Sequence, residues 1–353
     1  MQTYIFGKML AAETKALEIP SPEPPQPGDS WKRIVEGIEP FLKDVSLFLT
    51  RQVQAFEPEI GEMASYALAA QGKQLRSSLV ALSADAAGDR NKDHITVAAI
   101  IEMVHLATLV HDDVIDEAKV RRSQPTLTAN WGNEVSVLLG DCLFAHSLKL
   151  AASFPTPEIC RAVATATNVV CSGEILQTQQ RWKFDFTRSE YLRIVAMKTA
   201  ELFALSCEQG AFLANASPEI RTALRNYGMA LGTAYQIYDD CLDLFGSEAF
   251  AGKSLGTDLA KGKITLPLLI VLENGTENDK ARLRHLVELW EIVSLPEMLH
   301  LLKKYDALIQ SRRVIQQHLA AARASLAVLP LSSGRVALQE LTEYLEHLTM
   351  ALE

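Results

Sequence analysis

Two aspartate clusters carry the strongest chemical signal in this chain. The first, Asp112, Asp113 and Asp116, sits in "HLATLVHDDVIDEAKVRRSQPT"; the second, Asp239, Asp240 and Asp243, sits in "GTAYQIYDDCLDLFG". Each reads Asp-Asp-x-x-Asp. On a helix the first and last carboxylates of such a set lie one turn apart on the same face, where like charges repel. A cation between them relieves that repulsion. Oxygen-only ligands with room for water suit Mg2+, which commonly bridges protein carboxylates and substrate phosphates. One cluster alone reads equally well as a solvated helix end. Two copies with the same spacing, each after an apolar helical stretch, point to a metal site.

Separated basic residues surround these clusters in the sequence. Lys73 and Arg76 lie three apart in "QGKQLRS", and His105 lies two helical turns before Asp112. Arg121 and Arg122 follow the first cluster, Lys198 and Thr199 sit in "AMKTAEL", and Lys253 and Lys263 lie in "GKSLGTDLAKGKITLP". Gln236 precedes Asp239 by three residues, on the same helical face. Carboxylates for a metal plus several separate cations are what a site for two diphosphates requires.

Helices must position these groups. From Trp31 onward apolar residues recur at three- and four-residue spacing, Ala and Leu abound, and prolines fall mainly between periodic segments. The expected class is all-α: ten or more helices over residues 31–353 in one bundle, with no repeat of solenoid period. Residues 1–30 read as a Pro-rich tail, because "IPSPEPPQPG" holds five prolines and no apolar period. Helix boundaries are expected just after each aspartate cluster, at "RRSQP" and "FGSEAFAG".

The formal net charge of −9 disfavours nucleic acid as the main partner, so an anionic substrate must meet a local basic cluster. The longest uncharged stretch, Asn226–Tyr238, falls short of the roughly 20 residues of a membrane span, so no transmembrane segment is expected. No secretory signal is expected either. The five cysteines form no CxxC pair and read as reduced thiols of a cytoplasmic protein.

Taken together, the two Asp-rich motifs, 127 residues apart, with "GEILQ" and "MKTAELF" between them, resemble the trans-isoprenyl diphosphate synthases, or polyprenyl synthetase family. The resemblance is strong over about residues 60–270 and implies a bundle of the isoprenoid synthase type around a central apolar cavity. It implies condensation of isopentenyl diphosphate with an allylic diphosphate, release of pyrophosphate, and three Mg2+ ions held between the aspartate clusters. Asp112, Asp116 and Asp239 are the implied leading ligands, with Asp113, Asp240 and Asp243 beside them. Lys73, Arg76, His105 and Arg122 would hold isopentenyl diphosphate. Arg121, Lys198, Thr199, Gln236, Lys253 and Lys263 would hold the allylic diphosphate, Lys198 with a catalytic part. A homodimer is implied as well.

The chain departs from the family pattern at Gln71, Gln74, Ser77 and Ser123. Ala107 and Thr108, five and four residues before Asp112, would line the pocket wall about 5.4 Å deeper. In the family aromatic side chains at these positions block the growing chain; here both are small, and the local text most resembles the medium- and long-chain synthases, so the resemblance implies a product of about twenty carbons or more, with about thirty to forty favoured. Three other readings fit the sequence less well. A terpene cyclase normally mixes Asn, Ser or Thr with Glu in its second metal motif, a non-catalytic subunit of a heteromeric synthase tends to lose the aspartates, and a di-iron bundle needs Glu-x-x-His pairs.

Overall fold

Capping chemistry divides the chain into its helices. Ser217 caps the helix Pro218–Phe245 by accepting from the Ile220 N–H, with Pro218 at the first helical position. Asn91 opens the helix Lys92–Ile115 with a reciprocal cap: its side chain accepts from the Asp93 N–H, and its own N–H donates to His94 Nδ1. Thr187 and Glu190 form the same device at the helix Arg188–Val195.

The computed structural model describes residues 27–69, 72–122, 124–247 and 255–352. Lys253, the departures at Gln71 and Ser123, and most of the Pro-rich segment lie outside them. The helices up to the second aspartate cluster are α1 (Pro27–Val35), α2 (Glu39–Gln54), α3 (Pro58–Ala69), α4 (Leu75–Ala87), α5 (Lys92–Ile115), α6 (Leu127–Ala152), α7 (Glu158–Gln179), α8 (Arg188–Val195), α9 (Glu201–Leu213) and α10 (Pro218–Phe245). After it come α11 (Thr257–Ala260), α12 (Leu266–Asn274), α13 (Glu277–Glu288), α14 (Leu295–Lys304), α15 (Ala307–Ser325) and α16 (Ser333–Met350). A two-residue hairpin, Val120–Arg121 with Gln124–Pro125, is the sole strand pairing among the described residues. The all-α expectation holds. One boundary moves: α1 begins at Pro27, inside the segment assigned to the tail, because proline at a first helical position gives up no helix hydrogen bond.

One apolar core runs through the bundle, from Ile34 near its start to Leu352. α10 packs on α9 and α15, and α5 packs on α6, α2 and α4. Gly228 and Gly232, one turn apart on α10, permit the approach to α9: a Cβ at Gly228 would stand 2.5 Å from the Phe203 carbonyl oxygen, and one at Gly232 would stand 2.7 Å from Ala200 Cα. Neither fits without moving backbone.

Three helices, α5, α6 and α7, are long and apolar enough to cross a membrane by length and composition. The uncharged-run reading missed them because one or two charges interrupt each. Over their most apolar windows α5 is 67 % buried in the fold, α6 33 % and α7 28 %. All five cysteines are free.

Candidate active site

Both aspartate clusters fall at helix ends. Asp112 and Asp113 lie in the last turn of α5, and Asp116 is its C-cap, donating its N–H to the Asp112 carbonyl at 2.8 Å. Asp239, Asp240 and Asp243 occupy the last two turns of α10. Between them opens a cavity of about 1640 Å³, lined by Asp112, Asp113, Asp116, Asp239 and Asp240 and also by Leu106, Val110, Phe144, Val170 and Leu202. Acidic and apolar side chains thus share one space.

The carboxylates are not equivalent. Burial pushes the Asp112 carboxyl up to about 6, helped by Glu174 and Asp116 and opposed by Lys198. Burial acts on Asp116 in the same direction, but Lys263 and then Arg181 outweigh it and hold that carboxyl below its usual range. Arg181 Nη2 stands 2.6 Å from Asp116 Oδ1, and Lys263 Nζ stands 3.1 Å from Oδ2. Asp113 is nearly enclosed, and Arg121 donates to its Oδ1 through Nε at 2.9 Å and Nη2 at 2.8 Å. Asp240 accepts from Tyr191 Oη at 2.6 Å and Gln236 Nε2 at 2.8 Å. Its carboxyl is pushed up to about 8, first by burial and then by Asp258.

Asp243 departs from expectation. It is fully buried, does not line the cavity, and accepts from Thr257 Oγ1 at 2.7 Å and from the Asp258 N–H at 3.0 Å. It caps α11 and anchors the turn that presents Asp258 and Lys263. Asp258 Oδ1 in turn lies 3.4 Å from Lys263 Nζ. Among the described residues no three His, Cys, Asp or Glu side chains stand close enough to hold a metal ion alone.

The basic residues separate into two groups. Lys198 contacts Glu174, donates to Gln177 Oε1 at 2.8 Å and lies 3.9 Å from Asp112. Thr199 Oγ1 donates to Gln236 Oε1 at 2.6 Å. With Lys263, these residues face the aspartates. Lys73, Arg76, His105 and Arg122 line the same cavity. Burial, then Arg76, Arg122 and Arg121, drive His105 well below its usual titration range. Arg76 sits 5.2 Å from the Phe203 ring centroid, and its buried Nε has no hydrogen-bond partner among the described residues. An enclosed guanidinium with spare donor capacity is suited to an anion. Arg121, expected with the allylic group, bonds Asp113 of the first cluster, and its charge also reaches His105.

Thr108 lines the cavity; Ala107 is fully buried and does not. At about 100° per residue Thr108 lies about 40° from Asp112 around the helix, and Ala107 about 140° away. The expectation that both face the channel therefore holds only for Thr108.

The polyprenyl synthetase family model matches residues 57–294. Octaprenyl diphosphate synthase of Escherichia coli (strain K12) is 34 % identical over 298 residues, covering 84 % of this chain and 92 % of that protein. The chain belongs to the polyprenyl synthetase family. A polyprenyl synthase from Caulobacter crescentus CB15, crystallised with calcium and isoprenyl diphosphate, superposes with a TM-score of 0.84 at 31 % identity, covering 92 % of this chain and 99 % of that one. A decaprenyl diphosphate synthase from Rhodobacter capsulatus superposes with a TM-score of 0.85 at 32 % identity, covering 90 % and 98 %.

Several residues that shape this polyprenyl synthetase site carried no assigned role in the sequence. Glu174 and Gln177, three apart within "GEILQ", meet Lys198, and that spacing on one helical face was the available signal. Arg181 and Asp258 had none. Lys198 itself rides on a π-helical turn, Ala196–Ala200, inserted between α8 and α9. Such insertions often mark functional sites. Gly173 lets α7 approach this turn: a Cβ there would stand 2.7 Å from the Lys198 backbone N and 2.9 Å from Met197 Cβ. Gly173→Ala is expected to displace Lys198 and lower kcat by about tenfold to a hundredfold. Steady-state kinetics check this, and an unchanged kcat would show that the turn accommodates the methyl.

Proposed function

We propose that the chain is a Mg2+-dependent trans-prenyltransferase that condenses isopentenyl diphosphate with an allylic diphosphate, releases pyrophosphate, and makes a polyprenyl diphosphate of C20 or longer. The observation that carries this reading is one cavity lined together by the aspartates and lysines, by the arginine–histidine cluster and by apolar side chains. Mg2+ bound through Asp112, Asp116 and Asp239 would neutralise the charge of a departing pyrophosphate.

The chain's own residues supply the rest. Lys198 and Lys263 add fixed positive charge where the leaving group departs, at no reorganisation cost during reaction. Thr199 orients Gln236, and Gln236 donates to Asp240, which holds the second cluster in place. Lys73, Arg76, His105 and Arg122 hold isopentenyl diphosphate so that its double bond faces the allylic carbon. Leu106, Val110 and Leu202 exclude water from the carbocation. No side chain is needed as base for the final proton, since pyrophosphate oxygen is at hand.

The free thiols fit a reducing, cytoplasmic setting. Leu138 on α6 and Ile175 on α7, 64 % and 59 % exposed, support a homodimer through that side of the bundle.

Incubation with labelled isopentenyl diphosphate, Mg2+ and a series of allylic primers is expected to give polyprenyl diphosphates. No product with any primer would sink the reading. Lys73→Ala and Arg76→Ala should each raise KM for isopentenyl diphosphate more than that for the primer, a loss of about 1.5–3 kcal/mol per charge-assisted contact. A larger rise for the primer would reverse the two subsites.

A further inference from the structure

Lys73 lies on the short link between α3 and α4 and is exposed. An exposed lysine ordinarily samples many rotamers and loses that freedom when it grips a ligand. Here its position is already fixed, by helices from the two ends of the described chain. Lys73 Nζ donates to Tyr344 Oη of α16 at 2.7 Å. The ammonium lies 5.2 Å from the Tyr344 ring centroid and 5.8 Å from that of Trp31 on α1. The two rings pack at 5.8 Å with their planes 42° apart. Tyr344 is itself held, being 7 % exposed, and both aromatic residues line the cavity. The link is tethered on its other side as well, where Gln74 Nε2 donates to Ser46 Oγ at 2.9 Å.

We propose that Tyr344 is a positioning residue for Lys73, and that through it α16 completes the isopentenyl diphosphate subsite. The ammonium has three N–H donors. One goes to the Tyr344 hydroxyl, the Trp31 ring 5.8 Å away adds its attraction to the charge, and the remaining donors are left for a diphosphate oxygen. A hydroxyl acceptor fixes the lysine without cancelling the charge that attracts the substrate. A carboxylate in its place would compete with the diphosphate.

This inference rests on the assignment of Lys73 to isopentenyl diphosphate, and the test separates the two. Tyr344→Phe keeps the ring and removes only the acceptor. It is expected to raise KM for isopentenyl diphosphate about three- to tenfold, the scale of one net hydrogen bond, with a smaller effect on kcat and on the primer KM. Lys73→Ala should raise the same KM further, and adding Tyr344→Phe to it should have no additional effect. Thermal unfolding of Tyr344→Phe is expected to match wild type within a few degrees. A lowered KM would mean that the tyrosine restrains the lysine from its substrate, and would overturn the proposal. So would an equal rise of KM in the presence and absence of Lys73, which would make Tyr344 a packing residue. An unchanged KM in Lys73→Ala would remove the underlying assignment and the proposal with it. A rise in Lys73→Ala with none in Tyr344→Phe would remove the proposal alone.

Discussion

Asp112→Ala and Asp239→Ala are each expected to lower turnover by at least about a hundredfold, the scale seen when one preorganised electrostatic partner of a transition state is removed. Circular dichroism should show the helical content intact, because both residues sit in the last turns of their helices and neither is part of the apolar core. Excess chelator should abolish activity in the wild type, and added Mg2+ should restore it. Near-normal turnover in both variants would reduce the clusters to solvated helix ends. The pH dependence sharpens the test. Burial, with Glu174 and Asp116, raises the Asp112 carboxyl to about 6, and a metal ion takes only the ionised form. Apparent Mg2+ affinity should therefore fall by up to about tenfold per pH unit below about 6. For stability the sign is opposite. A carboxyl whose folded pKa lies above its ordinary 3.8 costs the metal-free fold nothing below that value, and its full cost is present above about 6. Without metal, Asp112→Asn should melt above wild type at about pH 7, and the gap should close near about pH 4. A variant less stable than wild type at both pH values would show that Asp112 serves the fold.

Thr108→Phe is expected to shorten the product. Thr108 lines the cavity one turn inward from Asp112, with its Oγ1 donating to the His105 carbonyl at 2.6 Å, so a benzyl group there projects into the path of a growing chain. Product lengths resolved by chromatography should shift downward while turnover is retained. Ala107→Phe is the contrasting substitution. Ala107 is fully buried in the core, so the larger ring should overpack it and cost about 1–3 kcal/mol of stability, read as a lower Tm. Unchanged product length in an active Thr108→Phe enzyme would remove residue 108 from the channel wall. Shorter products from Ala107→Phe at undiminished Tm would place residue 107 on that wall instead.

What the sequence by itself determined are relations within a helix. The 3.6-residue period of the apolar positions specified an all-α bundle, and the same period placed Asp112 with Asp116, His105 two turns behind them, and Gln236 before Asp239. The turn residues after each cluster marked helix ends that the structure has at Ile115 and Phe245. Tertiary structure alone decided which groups meet across helices. Arg181 reaches Asp116 over 65 residues of chain, Lys263 reaches it over 147, and Lys73 reaches Tyr344 over 271. No local period encodes such a pairing, because it depends on how close two helices can come, and here single glycines set that distance at α7 and α10. The same cause explains the corrections. Asp243 repeats the spacing of its neighbours, yet the chain after α10 folds back to take its oxygens, and Ala107 is as small as Thr108 but faces the core. Residue type and spacing name the groups capable of chemistry; the packing of helix against helix selects which of them face the cavity.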